Sequence, residues 1–274
     1  MKHAMQMTFL NTRNDFTLKN NKWFFVSEPR PNARIRLFCF PYAGGGTSIY
    51  YKWPKYFPLD IEICVVKLPG REDRFNEKPF SRMKDLIEKI SEEMLPFLDK
   101  PFVLFGHSFG AFICFELSRY LRRHHLPVPL HLFVSGAKAP HRRRSKENSK
   151  KYYNISQESF IQNLIELGGI PGKLIENKEL LHLFLPTVWA DFEVLNTNNY
   201  IEMPPLESKI TAFCGLDDTL SNEKEIYAWR KHTTGTFRYE IFPGDHFYIN
   251  TSPEKLIRSI ICDLKSDDME KMRI

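Results

Sequence analysis

The sequence predicts an α/β protein built on a mostly parallel sheet, and three observations carry that prediction. Short apolar runs rich in β-branched and aromatic residues recur along the 274 residues and alternate with segments of helical period. Several runs (FVLF, LHLFV, ITAFC) are apolar on both faces, as strands covered by helices on each side should be. The composition can fill such a core, being 42% hydrophobic and 14% aromatic with 23 Phe. A chain of this kind is not disordered. No apolar run approaches the length of about 18 residues that a membrane helix needs. The first 21 residues lack the apolar stretch of a secretory signal. The expectation is a soluble, cytoplasmic protein with no membrane partner.

Taken in order, strands are expected at 34–40, 61–68, 102–105, 130–135, 210–214 and 237–242. A helix over 83–98 places Met83, Leu86, Ile87, Ile90, Met94 and Leu98 on one face with charges opposite. A helix over 111–121 carries Ile113, Cys114, Leu117 and Leu121 at similar spacing. Ala111, Phe112 and Phe115 make its first turns apolar nearly all round, so it should be buried against the sheet. Later helices are expected at 223–231 and 253–264, the second entered through Ser252-Pro253, an N-cap followed by an N1 proline. Residues 140–208 break the alternation. They open with the polar run HRRRSKENSKK and continue in helical pieces at 156–167 and 177–188, an inserted helical lid over the carboxyl edge of the sheet. The core is then 22–139 with 209–265. Residues 1–21 and the tail 266–274 receive no role.

The five cysteines form no CxxC pair and lie in apolar segments, where reduced thiols act as small hydrophobes. Neither a disulfide framework nor a zinc site is expected. The net charge of +6 is unevenly placed: residues 119–151 hold ten Lys/Arg against one acid, Glu147. That density suits either a solvated surface or a landing site for an acidic partner. No nucleic-acid-binding motif accompanies it, so nucleic acid is not an expected partner.

The chemistry concentrates after the third and first predicted strands. Gly106-His107-Ser108-Phe109-Gly110 joins a buried strand directly to a helix. A serine on so sharp a turn has strained backbone angles, and side chains two positions either side would clash across it. Ser108 is therefore the candidate nucleophile, lifted above the sheet at the positive end of a helix. Ala43-Gly44-Gly45-Gly46 follows the first strand with no Lys to make it a phosphate loop. Its backbone can approach a reacting carbonyl closely, so it is the candidate second oxyanion donor beside the amide of Phe109. A base and an orienting acid should follow in the order Ser, acid, His. Leu216-Asp217-Asp218 and Gly244-Asp245-His246 stand after the last two strands, where catalytic groups of α/β sheets collect. His246 thus outranks the other histidines, and spacing leaves Asp217 and Asp218 unresolved. His107 reads as structural, and His124-His125 as surface residues.

From Trp23 to about Ile261 the chain resembles the type II (external, editing) thioesterases of nonribosomal peptide and polyketide synthesis. It is also similar to the medium-chain thioesterase of animal fatty acid synthase. The matching blocks are RLFCFPYAGGGTSIYYKWPK, KLPGREDRF, FGHSFGAFICFELSR, LFVSGAKAP, LGGIPGKL, LPTVWADF, CGLDDT and FPGDHFYI. The resemblance implies an α/β-hydrolase fold with a helical lid, and hydrolysis of acyl groups from the phosphopantetheine arm of carrier proteins. It selects Asp218 as the acid and maps the oxyanion amides onto Ala43 and Phe109. It implies no cofactor of the enzyme's own and transient meetings with acyl- or peptidyl-carrier domains; a monomer is expected. Three positions depart from the family pattern. Phe109 replaces a usual Met, Val188-Trp189-Ala190-Asp191 stands for Leu-Arg-Ala-Asp, and Gly244-Asp245-His246 for Gly-Gly-His. A carboxylester hydrolase or acyltransferase would use the same triad, and a non-catalytic carrier-binding scaffold could retain its outline.

Overall fold

Strands β1 (Phe24–Phe25), β2 (Ile35–Phe40), β3 (Ile61–Val66), β4 (Phe102–His107), β5 (His131–Ser135), β6 (Lys209–Gly215) and β7 (Phe237–Phe242) form one sheet in the order β1-β3-β2-β4-β5-β6-β7. This computed structural model describes residues 21–143, 156–170, 176–251 and 253–271. All neighbours are parallel except β1, which pairs antiparallel with β3. The chain leaves β2 for β3 on one side and then places β4 on the other. That reversal opens a crevice beyond the carboxyl ends of β2 and β4, the usual ligand position in open parallel sheets.

Helices α1 (Met83–Met94), α2 (Phe109–Arg123), α3 (Gln157–Glu166), α4 (Lys178–Thr197), α5 (Glu223–Tyr227), α6 (Tyr248–Thr251) and α7 (Pro253–Lys271) complete the fold. Because side chains alternate along a strand, one strand feeds two cores. Phe38, Phe40, Leu104 and Val134 pack with α1 and α2. Leu37, Cys39, Val103, Phe105 and Phe133 pack with Tyr50, Trp53 and the Leu256, Ile257, Ile260 face of α7. Between β5 and β6 the described residues hold α3 and α4 and no strand. A third cluster forms there from Phe160, Leu164, Ile170, Leu185 and Val188. No helix among the described residues is long and apolar enough to cross a membrane.

The departures from expectation have local causes. β1 is two residues long, too short to show a period. Helix α1 ends at Met94 because Pro96 converts its last turn into a 3₁₀ turn over Leu95–Phe97. Helix α4 instead runs through Pro186 to Thr197, nine residues beyond the expected 188, since the face after the proline is buried at Val188, Asp191 and Val194. Cys39, Cys64, Cys114 and Cys214 are buried free thiols, but Cys262 is exposed on α7, which corrects its expected core position. Residues 1–20, 144–155, 171–175, Ser252 and 272–274 lie outside the described residues. With them lie most of the polar run, part of LGGIPGKL and the expected N-cap of α7.

His232 gives the fold a testable acid sensitivity. It is buried against Phe115, Trp229 and Tyr200, with Nε2 2.8 Å from Nδ1 of His141. Burial first, then His141, Lys231 and Arg119, hold its pKa down to about 3, with Glu202 partly opposing them. The unfolded chain protonates near 6.5, so the folded state binds fewer protons between those values. The stability this represents is complete above about pH 6.5 and is lost as pH falls towards 3. The urea midpoint should therefore drop from pH 7 to pH 5, and His232→Gln should show a shallower drop. Identical slopes for both proteins would refute the assignment.

Candidate active site

β4 delivers Ser108 into the crevice. Its backbone sits at φ +52° and ψ −111°, a strained conformation for a residue with a side chain. The turn closes so tightly that a Cβ on Gly106 would lie 2.2 Å from the backbone of Gly110. One on Gly110 would lie 2.2 Å from the carbonyl oxygen of Phe40. Ser108 N donates to Ser135 O at 2.7 Å, tying the turn to β5. Ser108 is the N-cap of α2, yet its side chain makes no capping hydrogen bond, so the hydroxyl is not spent on the helix it introduces.

The acid and base come from the loops after β6 and β7. Gly215 allows these loops to meet, since a Cβ there would lie 2.3 Å from Asp245 O. Asp217 N donates to Gly244 O at 3.0 Å across the same junction. Asp218 and His246 are both buried, and Oδ2 of Asp218 lies 2.9 Å from Nδ1 of His246. The carboxylate also accepts from Leu220 N, Ser221 N and the Ser221 hydroxyl. Burial opposes its ionisation, but the hydrogen bond and charge of His246, with Ser221 and Leu220, hold the carboxyl below its ordinary value. Asp217 is exposed. Asp245 is exposed too, and its Oδ1 accepts from Phe247 N at 2.8 Å in a local turn.

His107, the neighbour of Ser108, places its ring 5.0 Å from that of His246. It is fully buried, with Nδ1 2.8 Å from the Ser135 hydroxyl, which in turn meets the Tyr248 hydroxyl. Burial, then the neighbouring His246, keep its pKa well below the usual histidine range. A neutral, enclosed ring is a wedge between the two loops rather than a base.

Phe40 of β2 lies beside Gly106 of β4 in register, so the loop after β2 borders the nucleophile turn. In that loop Gly45 N donates to Tyr42 O and Gly44 N to Asp191 Oδ2 of α4, each within 2.9 Å. Among the described residues the amides of Ala43 and Phe109 are given to no protein acceptor. An oxyanion hole needs two such donors. Helix α4 covers the loop closely, since a Cβ on Gly44 would lie 2.6 Å from Val188 and 2.8 Å from Phe184. Among the described residues no three His, Cys, Asp or Glu side chains converge to hold a metal ion.

Residues 35–264 match the thioesterase domain model. The chain belongs to the thioesterase family. This thioesterase is 39% identical to the gramicidin S biosynthesis protein GrsT of Aneurinibacillus migulanus, over 91% of the chain and 96% of that protein. Among solved structures it is similar to RedJ, a thioesterase of prodiginine biosynthesis in Streptomyces coelicolor. That match has a TM-score of 0.79 and 32% identity, covering 85% of this chain and 87% of that one. The type II thioesterase BorB of the borrelidin cluster gives a TM-score of 0.77 and 30% identity, over 87% and 96% of the two chains. The sheet with flanking helices is that of α/β-hydrolase thioesterases.

The sequence reading of this thioesterase missed how several residues are used. Ser221 holds Asp218, and the Ser135–Tyr248 pair holds His107, with no local signal for either. Arg71 and Asp191 lie inside blocks that carried the family resemblance, but their pairing spans 120 positions. The basic segment is also less available than its count implies. Arg119 is buried and donates to Ile201 O, and Arg122 donates to Pro204 O and Pro205 O. Lys138 pairs with Glu225, while Arg143 donates to Leu195 O and covers the Phe112 ring. Arg123 and Arg142 remain exposed, and Arg144 lies outside the described residues.

Proposed function

We propose that this thioesterase releases acyl groups from the phosphopantetheine arm of acyl- or peptidyl-carrier proteins serving nonribosomal peptide or polyketide synthesis. The observation that carries the reading is the buried Asp218–His246 pair, in a chain that also holds a strained serine turn and is so similar to a gramicidin S biosynthesis protein. In the proposed mechanism, Ser108 Oγ attacks the thioester carbon while His246 Nε2 takes its proton and Asp218 orients the imidazole. The amides of Ala43 and Phe109 receive the oxyanion. Collapse breaks the carbon–sulfur bond, and His246 returns the proton to the departing pantetheine sulfur. Water then attacks the acyl-serine with His246 as base, the acyl–oxygen bond breaks as His246 returns that proton to Ser108 Oγ, and the free acid leaves. The enzyme uses no cofactor of its own, because the pantetheine arm arrives with the substrate, and it works as a cytoplasmic monomer.

Carrier domains of this class are acidic around the attachment serine, so a complementary field would raise the rate of encounter more than the affinity. Arg119, Arg122 and Arg143 have internal roles and Arg123 stands at the end of α2 far from Ser108, so among the described residues of the segment the docking charge is Arg142. The test compares hydrolysis of an acyl-carrier protein with that of the free acyl-pantetheine, followed by mass spectrometry and with added alcohols and amines. Loss of the acyl group as free acid from both is expected. Arg142→Ser should lower kcat/KM for the carrier substrate alone, and less so at high salt. Persistence of the acyl carrier, or capture by the added nucleophile in place of water, would overturn the hydrolase reading. Equal effects on both substrates would remove the docking surface.

A further inference from the structure

Helix α4 belongs to the insertion, yet its Asp191 reaches into the loop that follows β2. Asp191 is buried, with 3% of its surface exposed. Its Oδ2 accepts from Gly44 N at 2.8 Å and from one Arg71 nitrogen at 2.8 Å, and its Oδ1 accepts from the other Arg71 nitrogen at 2.8 Å. The same guanidinium, also buried, donates to Gly45 O at 3.0 Å. One carboxylate–guanidinium pair thus grips both sides of the Gly44–Gly45 peptide. One turn earlier on α4, Thr187 donates to the carbonyl of Gly70, immediately before Arg71. Phe184 and Val188 fill the space above Gly44. Positions 184, 187, 188 and 191 form one helical face, and that face is seated on two core loops.

Three consecutive glycines cannot hold their own conformation. The loop they form contains Ala43, one of the two amides that receive the oxyanion in the proposed mechanism. Preorganised donors matter because their geometry must exist before charge develops. An external clamp on the very next amide supplies the missing order. We propose that Asp191 and Arg71 are positioning residues that set the Ala43 amide, so that seating of α4 and completion of the oxyanion hole are a single event. The enzyme is then competent when the inserted helix is docked over the crevice, and its oxyanion hole loosens when that helix withdraws. This inference rests on the thioesterase reading and deepens it.

The test must separate an ordered oxyanion loop from mere anchoring of a helix. A buried ion pair can be replaced by neutral groups without leaving a charge unpaired, so two double variants are compared. Arg71→Met with Asp191→Asn keeps an oxygen able to accept from Gly44 N. Arg71→Met with Asp191→Leu removes it. With hexanoyl-pantetheine as substrate, the Leu variant should lose about 10²-fold in kcat, the scale of one oxyanion donor, with KM changed less than about threefold. Its affinity for an alkyl trifluoromethyl ketone, which adds to Ser108 and develops an oxyanion, should fall by a similar factor. The Asn variant should stay within about tenfold of the parent on both measures. Equal kcat for the two variants, or a loss confined to KM, overturns the inference. So does an unchanged ketone affinity beside a reduced kcat. Should the Leu variant not fold, Arg71→Met with Asp191→Ala, which also lacks the acceptor and leaves no charge unpaired, is read with the same expected losses. Failure of the parent enzyme itself to cleave the thioester would strike the functional reading, whereas the ketone comparison reports on the loop independently of turnover.

Discussion

Ser108→Ala is expected to lower kcat for thioester hydrolysis by roughly 10⁴- to 10⁶-fold, the scale on which loss of a serine nucleophile is felt. The substitution removes the only atom the proposed mechanism bonds to the acyl group, while the oxyanion amides and the crevice remain. The fold should survive, because the Ser108 side chain caps nothing and its backbone contact to Ser135 O is independent of the hydroxyl. Backbone strain supplies a second readout. At φ +52° an alanine is as strained as the serine, whereas a glycine is not. Ser108→Gly should therefore be equally inactive but about 1–3 kcal/mol more stable than Ser108→Ala in urea unfolding. A fluorophosphonate should label the parent and neither variant. Retention of turnover within tenfold of the parent in either variant would move the nucleophile elsewhere.

Asp218→Asn should cost on the order of 10⁴ in kcat, and Asp217→Asn less than about threefold. The two residues are adjacent and chemically identical, so the contrast isolates geometry. An asparagine at 218 can still accept from Leu220 N and Ser221 N through its oxygen, which preserves the loop. Its amide then faces His246 Nδ1 as a donor and selects the tautomer whose Nε2 carries the proton, which cannot accept the proton from Ser108. The melting temperature should stay within a few degrees of the parent. At 217 the carboxylate is exposed and its loss removes no contact to His246. The reverse ranking of kcat would assign the acid to Asp217.

The strand–helix alternation was legible because each element is specified over a few neighbouring residues. The α1 face predicted from Met83, Leu86, Ile87, Ile90 and Met94 is the buried face in the structure. The expected strands appear within two residues at each end. What failed to show in the sequence was shaped by contact. β1 exists through its pairing with β3, and α4 continues past Pro186 because its later turns are covered. The charge count of 119–151 misled for a similar reason. A cation bound to a carbonyl, such as Arg119 on Ile201, is indistinguishable in composition from one in water.

By itself the sequence determined six of the seven strands, the nucleophile turn and the order of the candidate triad. Gly106 answers to a clash with the backbone of Gly110, a constraint local enough to be written in nearby letters, whereas Gly110 is kept small by the carbonyl of Phe40 on a neighbouring strand. The choice between Asp217 and Asp218 could be drawn from family resemblance, but spacing left it open. The tertiary structure brings Asp218 to a histidine 28 positions away and leaves its neighbour in solvent. The clamp of Arg71 and Asp191 on Gly44 belongs wholly to the tertiary structure. Its hydrogen bonds join segments 120 and 147 positions apart, and no periodicity or spacing records which loop an inserted helix will cover. Local sterics fix where the serine must stand, whereas the environment of the reacting carbonyl depends on how distant segments are packed around it.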